Sequence, residues 1–289
     1  MVFVQVFKEF LKGRAMLETF LHILSLSIIE LISLVGVMIV VGLLLGYLEM
    51  WSSQNVGRAF GWKGIMMTAW FGTPIHELSH AFMCVIFRHR ITEIKLIQWK
   101  RADGVLGYVR HEYNPGSIYQ RVGNFFIGIA PVIVGILVLM FGMYELLPSS
   151  YDRFIDTVHA NIDLSLTPNA GEIFHIIALS MGTVITSLFT LNNVLNPLFW
   201  VYLILAICLS SHIALSSADL KGAYNGIIAI FMVIVVINAF AMFLNYDTLT
   251  IVEKVAKYNI YVLAFSSVAI VFSFITLLIS LLLITLRRR

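Results

Sequence analysis

Long apolar runs separated by short polar segments make up most of the chain. Six of these runs are long enough to cross a bilayer as helices, and they cover residues 21–48, 63–87, 119–147, 194–215, 222–245 and 258–286. A further segment, 171–191, is weakly hydrophobic and carries several Ser and Thr residues. Residues 1–20 mix apolar and charged positions, which favours a helix lying at the membrane interface. The pattern predicts an all-α polytopic membrane protein of about six transmembrane helices, with residues 1–289 forming a single domain.

The composition agrees with a membrane protein. The chain has 289 residues, of which 60% are hydrophobic and 12% charged, whereas a soluble domain has about 25% charged residues. A net charge of +3 is too small to indicate nucleic-acid binding. Cys84 and Cys208 lie in apolar runs without CxxC spacing, which is typical of small core residues rather than of a disulfide or a metal pair. We therefore expect the lipid bilayer, and no nucleic acid, as a partner.

The distribution of basic residues predicts the orientation. With six crossings and both termini in the cytoplasm, 14 of the 19 Lys and Arg residues lie on the inner side. A seventh crossing would place the terminal Arg287-Arg288-Arg289 outside, against the positive-inside rule. Segment 171–191 is therefore predicted to be a re-entrant or interfacial helix. The chain suits an integral multi-pass protein of a prokaryotic plasma membrane.

Residues 91–116 differ from the helical runs. The stretch 91–97 is rich in β-branched residues, and 104–110 offers a second strand after the turn-forming sequence Arg101-Ala-Asp-Gly104. We predict a short, membrane-associated β-hairpin on the cytoplasmic side, directly after the second predicted span.

That second span contains the most informative motif, His76-Glu-Leu-Ser-His80. In a helix, His76 and His80 lie one turn apart on the same face and can bind one metal ion, while Glu77 can act on a water at that metal. Two imidazoles and a carboxylate at membrane depth cost several kcal/mol unless they are paired or liganded. The motif therefore predicts a zinc site, with His80 about 10 Å from the cytoplasmic end of the span.

A catalytic zinc ion usually has three protein ligands and one water, so a third ligand must come from another span near the same end. The segment 210–222 offers Asp219 as the first candidate and His212 as the alternative. Asp219 has a competing explanation, because Ser216 and Asp219 have the spacing of a helix capping box.

These residues resemble the site-2 protease family of intramembrane zinc metalloproteases, in particular its small bacterial members without a PDZ domain. His76-Glu-Leu-Ser-His80 matches the zinc helix of that family, and Gly107-Tyr-Val109 resembles its substrate-pairing strand. Gly128-Ile-Ala-Pro131 resembles the Ala-Gly-Pro element, and Asp219-Leu-Lys-Gly222 is a loose counterpart of the Leu-Asp-Gly motif.

The resemblance implies a zinc metalloendopeptidase that cleaves transmembrane or membrane-associated proteins or peptides. His76, His80 and Asp219 would hold Zn²⁺, and Glu77 would serve as the catalytic general base. Gly107, Tyr108 and Val109 would bind the substrate as an added strand.

Two alternatives have different sequence signatures. A membrane zinc protease of the type that trims prenylated proteins uses a Glu on a later helix as its third ligand, but Glu253 lies in a predicted external loop. A non-catalytic metal-binding membrane protein, either a transporter or a pseudoprotease-type regulator, has no need for Glu77 directly after the first ligand. The presence of Glu77 favours a hydrolase.

Overall fold

The computed structural model describes the backbone of residues 2–99, 105–162, 170–244 and 246–287, with side chains from residue 16 onwards except at 170. The elements are α1 (Val2–Ile86), β1 (Arg90–Lys95), β2 (Tyr108–Glu112), α2 (Ile118–Leu146), α3 (Pro148–Asn161), α4 (Ala170–Leu188), α5 (Leu191–Val194), α6 (Pro197–Ser210), α7 (Ser217–Phe243), α8 (Leu249–Ala256) and α9 (Asn259–Arg287). The predicted turn at 101–104 and the side chains of residues 1–15 in the predicted interfacial helix lie outside this description.

Apolar helices dominate this part of the chain. Five segments are long and apolar enough to cross a membrane, by length and composition: Met16–Ile86, Ile118–Leu146, Gly171–Leu188, Ser217–Phe243 and Leu249–Arg287. Large apolar side chains are exposed on them; Met67 is 73% and Phe243 83% accessible. Water would penalise such surfaces and lipid would not, so the chain is a largely helical membrane protein.

Two segments differ in length from the sequence-based expectation. The segment predicted as re-entrant or interfacial, 171–191, is a helix whose residues Gly171–Leu188 have the length and hydropathy of a span. By contrast, α6 has only 14 residues, fewer than the roughly 20 needed for a perpendicular crossing. It begins at Pro197 behind the N-cap Asn196, and it ends before the polar residues 211 and 212. The predicted total of about six crossings therefore stays a prediction.

Helix α1 folds back on itself at Gly61. The backbone there leaves helical geometry with φ 61° and ψ −153°, a positive φ that glycine adopts without a Cβ clash. Glu49 and His76 line one cavity, although an unbroken straight helix would hold them about 40 Å apart. The segments 2–60 and 62–86 are thus two helices lying side by side, and they contain the first two predicted apolar runs.

The two strands form an antiparallel sheet that lies beside the 62–86 segment, because the chain reverses direction after α1. Lys95 pairs with Tyr108 and Arg90 with Glu112, with an irregularity between Ile91 and Glu93. Beyond β1, the carbonyl oxygen of Trp99 accepts a hydrogen bond of 3.1 Å from the indole of Trp62. Since Trp62 lies about 36 Å along the helix from Ile86, the chain leaving α1 runs back beside it. The strands therefore lie near the depth of the histidines.

The remaining helices enclose this unit. Helix α2 packs along α7 and α1 packs along α9, and the largest apolar core joins α1, α2, α3, α4, α6 and α9. A buried polar contact also ties α1 to α7, because the side-chain amide of Asn238 donates to Glu30 Oε2 at 2.6 Å. Buried polar groups in a membrane protein need such partners.

Candidate metal centre

The two motif histidines lie on one face of the 62–86 segment with fixed ring orientations. His76 Nδ1–H donates to the carbonyl oxygen of His212 (2.8 Å), and His80 Nδ1–H donates to that of Ile127 (2.8 Å). A carbonyl oxygen can only accept, so each ring carries a proton on Nδ1, and a ring in its neutral form presents the Nε2 lone pair. The two Nε2 atoms are 3.1 Å apart.

Asp219 completes the cluster from the first turn of α7. Its Oδ1 lies 3.1 Å from His80 Nε2 and its Oδ2 lies 3.5 Å from His76 Nε2. The same carboxylate forms a capping box, because Ser216 N donates to Asp219 Oδ2 (2.8 Å) and Asp219 N donates to Ser216 Oγ (3.1 Å). The two readings of Asp219 from the sequence are therefore compatible, since a carboxylate has about four lone-pair sites.

Close packing of α2 against α7 fixes the position of Asp219. A Cβ atom at Gly128 would lie 2.7 Å from the carbonyl oxygen of Asp219 and 2.8 Å from Ala223 Cβ. Only glycine permits this approach. Gly128, the first residue of the stretch 128–131 that resembles a family element, thus lies directly against the backbone of the proposed third ligand.

The donor set fits zinc. Two neutral imidazole nitrogens and a carboxylate converge, and their lone pairs repel one another unless a cation lies between them. Tetrahedral coordination with Zn–N bonds of 2.0–2.1 Å separates ligand atoms by about 3.3 Å. Here the two imidazole nitrogens are 3.1 Å apart, and each lies 3.1–3.5 Å from a different oxygen of Asp219. Carbonyl partners on the second ring nitrogen are the usual outer support of zinc-binding histidines.

His212, the alternative third ligand, has a different place. Its ring Nε2 lies 2.9 Å from Thr68 Oγ1, and its side chain is not part of the group formed by His76, His80 and Asp219. Its backbone carbonyl instead orients His76. The structure therefore brings Asp219, and not the His212 ring, to the two motif histidines.

Glu77 and the predicted substrate-binding residues share a cavity of about 660 Å³ with the histidines. Glu77 is only 7% exposed, and a Cβ at Gly107 would lie 2.8 Å from Glu77 Cγ. Val109 lines the same cavity. The Tyr108 hydroxyl donates to Glu93 Oε1 at 2.6 Å, which anchors this ring to β1. The stretch 107–109 therefore lies directly beside the carboxylate of Glu77.

Among the other polar residues that line the cavity, three buried or hydrogen-bonded ones were not expected from the sequence: Glu49, Thr73 and Asn124. Glu49 accepts a hydrogen bond of 2.9 Å from Ala214 N. Asn124 Nδ2 and Thr73 Oγ1 are buried and have no hydrogen-bond partner among the described residues. All three are polar residues in or beside an apolar run, and that placement was the available signal, because polar groups at membrane depth commonly mark functional sites.

No protein-family model, curated protein or solved structure matches the chain. The three converging donors, with the carboxylate and the strand beside them, are the features that indicate a function.

Proposed function

We propose that the protein is an intramembrane zinc metalloprotease that hydrolyses peptide bonds of transmembrane or membrane-associated substrates. The observation that carries the proposal is the convergence of His76, His80 and Asp219 in a cavity that also contains Glu77. The resemblance of the HExxH stretch to the site-2 protease family agrees with it.

Each residue of the site has a different role in the proposed hydrolysis. His76, His80 and Asp219 would hold Zn²⁺, which when bound lowers the pKa of water and polarises a scissile carbonyl. The carboxylate of Glu77 accepts the proton of the attacking water and passes it to the leaving amine nitrogen. The side-chain amide of Asn124, which has no partner among the described residues, can donate to the carbonyl oxygen where negative charge develops.

We assign substrate binding to β2, the strand beside Glu77. Peptide bonds inside a helix are shielded, so a substrate must be extended before it is cut. β2 pairs with β1 on one edge, and no third strand is present in the described sheet. An extended substrate segment added to the sheet would gain main-chain hydrogen bonds and would lie close to Glu77. Helix-breaking residues in the substrate would favour cleavage.

The proposed setting is a prokaryotic plasma membrane with both termini and the β1–β2 sheet on the cytoplasmic side. The excess of basic residues in 88–121 and at 287–289 supports this orientation. Reporter fusions after residue 100 test it: a cytoplasmic signal is expected, and an external one would reverse the proposed topology.

The decisive experiment compares wild type with Glu77→Gln in detergent. The two proteins are assayed for zinc content and for cleavage of a reporter with a Gly- and Asn-containing transmembrane segment and of unfolded casein. Wild type is expected to contain zinc and to cleave, whereas Glu77→Gln keeps the zinc and loses cleavage. A zinc-loaded wild type that cleaves neither substrate would instead favour the non-catalytic metal-binding alternative.

A further inference from the structure

A second cluster of metal-ligand side chains lies where the 62–86 segment meets the sheet. Cys84, His89 and His111 each place one donor atom within 4.8 Å of the other two. Cys84 is fully buried and His89 is 6% exposed. None of the three residues belongs to the HExxH motif or to the donor set around Asp219.

The end of α1 brings the first two ligands together. His89 N donates to Cys84 O (2.8 Å) and Arg88 N donates to Val85 O (3.2 Å), which is the Schellman pattern of hydrogen bonds at a helix C-terminus. Arg88 has a φ of 57°, the left-handed conformation that the motif requires after the cap. The turn carries His89 back over the last helical turn, against Cys84.

The sheet supplies the third ligand. His111 pairs across the ladder with Ile91, which lies two residues after His89. The Nδ1 atoms of His89 and His111 are 3.0 Å apart. His89 Nε2–H donates to the carbonyl oxygen of Gln120 at 2.9 Å, so His89 Nδ1 carries a lone pair directed at the cluster.

Burial lowers the pKa of His89 and of His111, and it therefore favours the neutral form of both rings. A neutral imidazole has a nitrogen lone pair available for a metal.

We propose that Cys84, His89 and His111 form a second metal site, which takes Zn²⁺ through one thiolate and two imidazoles. This donor set suits zinc, and binding transfers the Cys84 thiol proton to solvent. The ion ties the β1–β2 sheet to the end of the helix that carries His76 and His80. Three protein ligands leave the fourth coordination position of the ion to a water molecule, and the role of the ion is to fix the strand next to Glu77.

Without a metal ion, a hydrogen bond from His111 Nδ1–H to His89 Nδ1 would also bring the two imidazole rings together. Cobalt binding distinguishes this hydrogen bond from a metal site. Metal-free, detergent-purified full-length protein is titrated with Co²⁺ and followed by near-ultraviolet absorption, where thiolate-to-cobalt charge transfer reports a sulfur ligand. Wild type is expected to bind two equivalents, one with the thiolate band. The band should persist in His80→Ala and in the matched control Cys208→Ser, and disappear in Cys84→Ala.

His111→Gln tests the sheet ligand without altering the helix. It should weaken cobalt binding at the thiolate site at least about tenfold, the lower limit for losing even an outer-shell partner. Absence of the band in saturated wild type would overturn the proposal without any variant, and so would a band that depends on Cys208. Because the readout is cobalt at a thiolate, the result is independent of peptide hydrolysis.

Discussion

Replacing Gly128 with alanine tests whether the contact between α2 and α7 positions Asp219, the proposed third ligand. The added Cβ would lie 2.7 Å from the Asp219 carbonyl oxygen, whereas ordinary contacts begin at 3.4 Å. The backbone of α7 must therefore retreat by about 0.7 Å. That displacement exceeds the roughly 0.2 Å tolerance of zinc–ligand distances, so the carboxylate can no longer meet both histidines as it does now.

The size of the effect follows from two opposing contributions. Overpacking destabilises a fold by about 1–3 kcal/mol, and Gly→Ala in a helix interior restores about 1 kcal/mol, so stability should fall by about 0–2 kcal/mol. Displacing a supported ligand lowers metal affinity about 10–100-fold, or about 1.4–2.8 kcal/mol. Metal affinity should thus fall clearly in Gly128→Ala while the fold survives.

A chromophoric chelator competing for zinc measures the affinity, and thermal unfolding in detergent measures stability. Gly222→Ala is the matched control, because it lies three residues after Asp219 and an added Cβ there meets nothing within 4 Å. Its zinc affinity should equal that of wild type. If Gly128→Ala also binds zinc as wild type does, the α2–α7 contact does not position Asp219.

Further predictions concern single side chains. Glu77→Gln should slow cleavage by about 10²–10⁴-fold at unchanged zinc content, and a rate near that of wild type would exclude it as the base. Asn124→Ala should lower kcat by about 10²–10³-fold in the same assay; an effect on KM alone would contradict the assigned role. Asp219→Ala should contain one zinc equivalent less than wild type in elemental analysis and His212→Ala should contain as much as wild type, and the reverse result would exchange the two residues as ligands. Asn238→Ala should reduce stability by about 1–3 kcal/mol in thermal unfolding, because it leaves a buried carboxylate without its donor; no change would mean that the contact is not stabilising.

Local patterns predicted the features that depend on helix geometry alone. The spacing of His76 and His80 places both rings on one helical face, and their Nε2 atoms are indeed 3.1 Å apart. The apolar runs also located most of the long helices. The strands were placed less well: the expected second strand, 104–110, is observed as Tyr108–Glu112. β-pairing depends on partners elsewhere in the chain, and the sequence does not show which residues those are.

Features that depend on distant contacts could not be read from the sequence. Glu49 faces the cavity because the chain reverses at Gly61, and a single glycine in a helical pattern does not specify a reversal. The two roles of Asp219 looked like alternatives because a capping box is a local motif, whereas ligation depends on where α7 lies relative to α1. In the structure one carboxylate caps α7 and also lies 3.1 Å from His80 Nε2.

The contacts that orient the two histidine rings are the least predictable part of the site. The HExxH motif supplies two nitrogen atoms, but which nitrogen faces the centre depends on the carbonyl oxygens of His212 and Ile127. A backbone carbonyl is available at every residue type, so no sequence motif can mark these positions. One carbonyl follows α6 and the other lies within α2, while Asp219 begins α7. The proposed ligand set is therefore assembled only when three separate elements pack against the 62–86 segment. For this reason a packing substitution such as Gly128→Ala is expected to reduce metal affinity before it destabilises the fold.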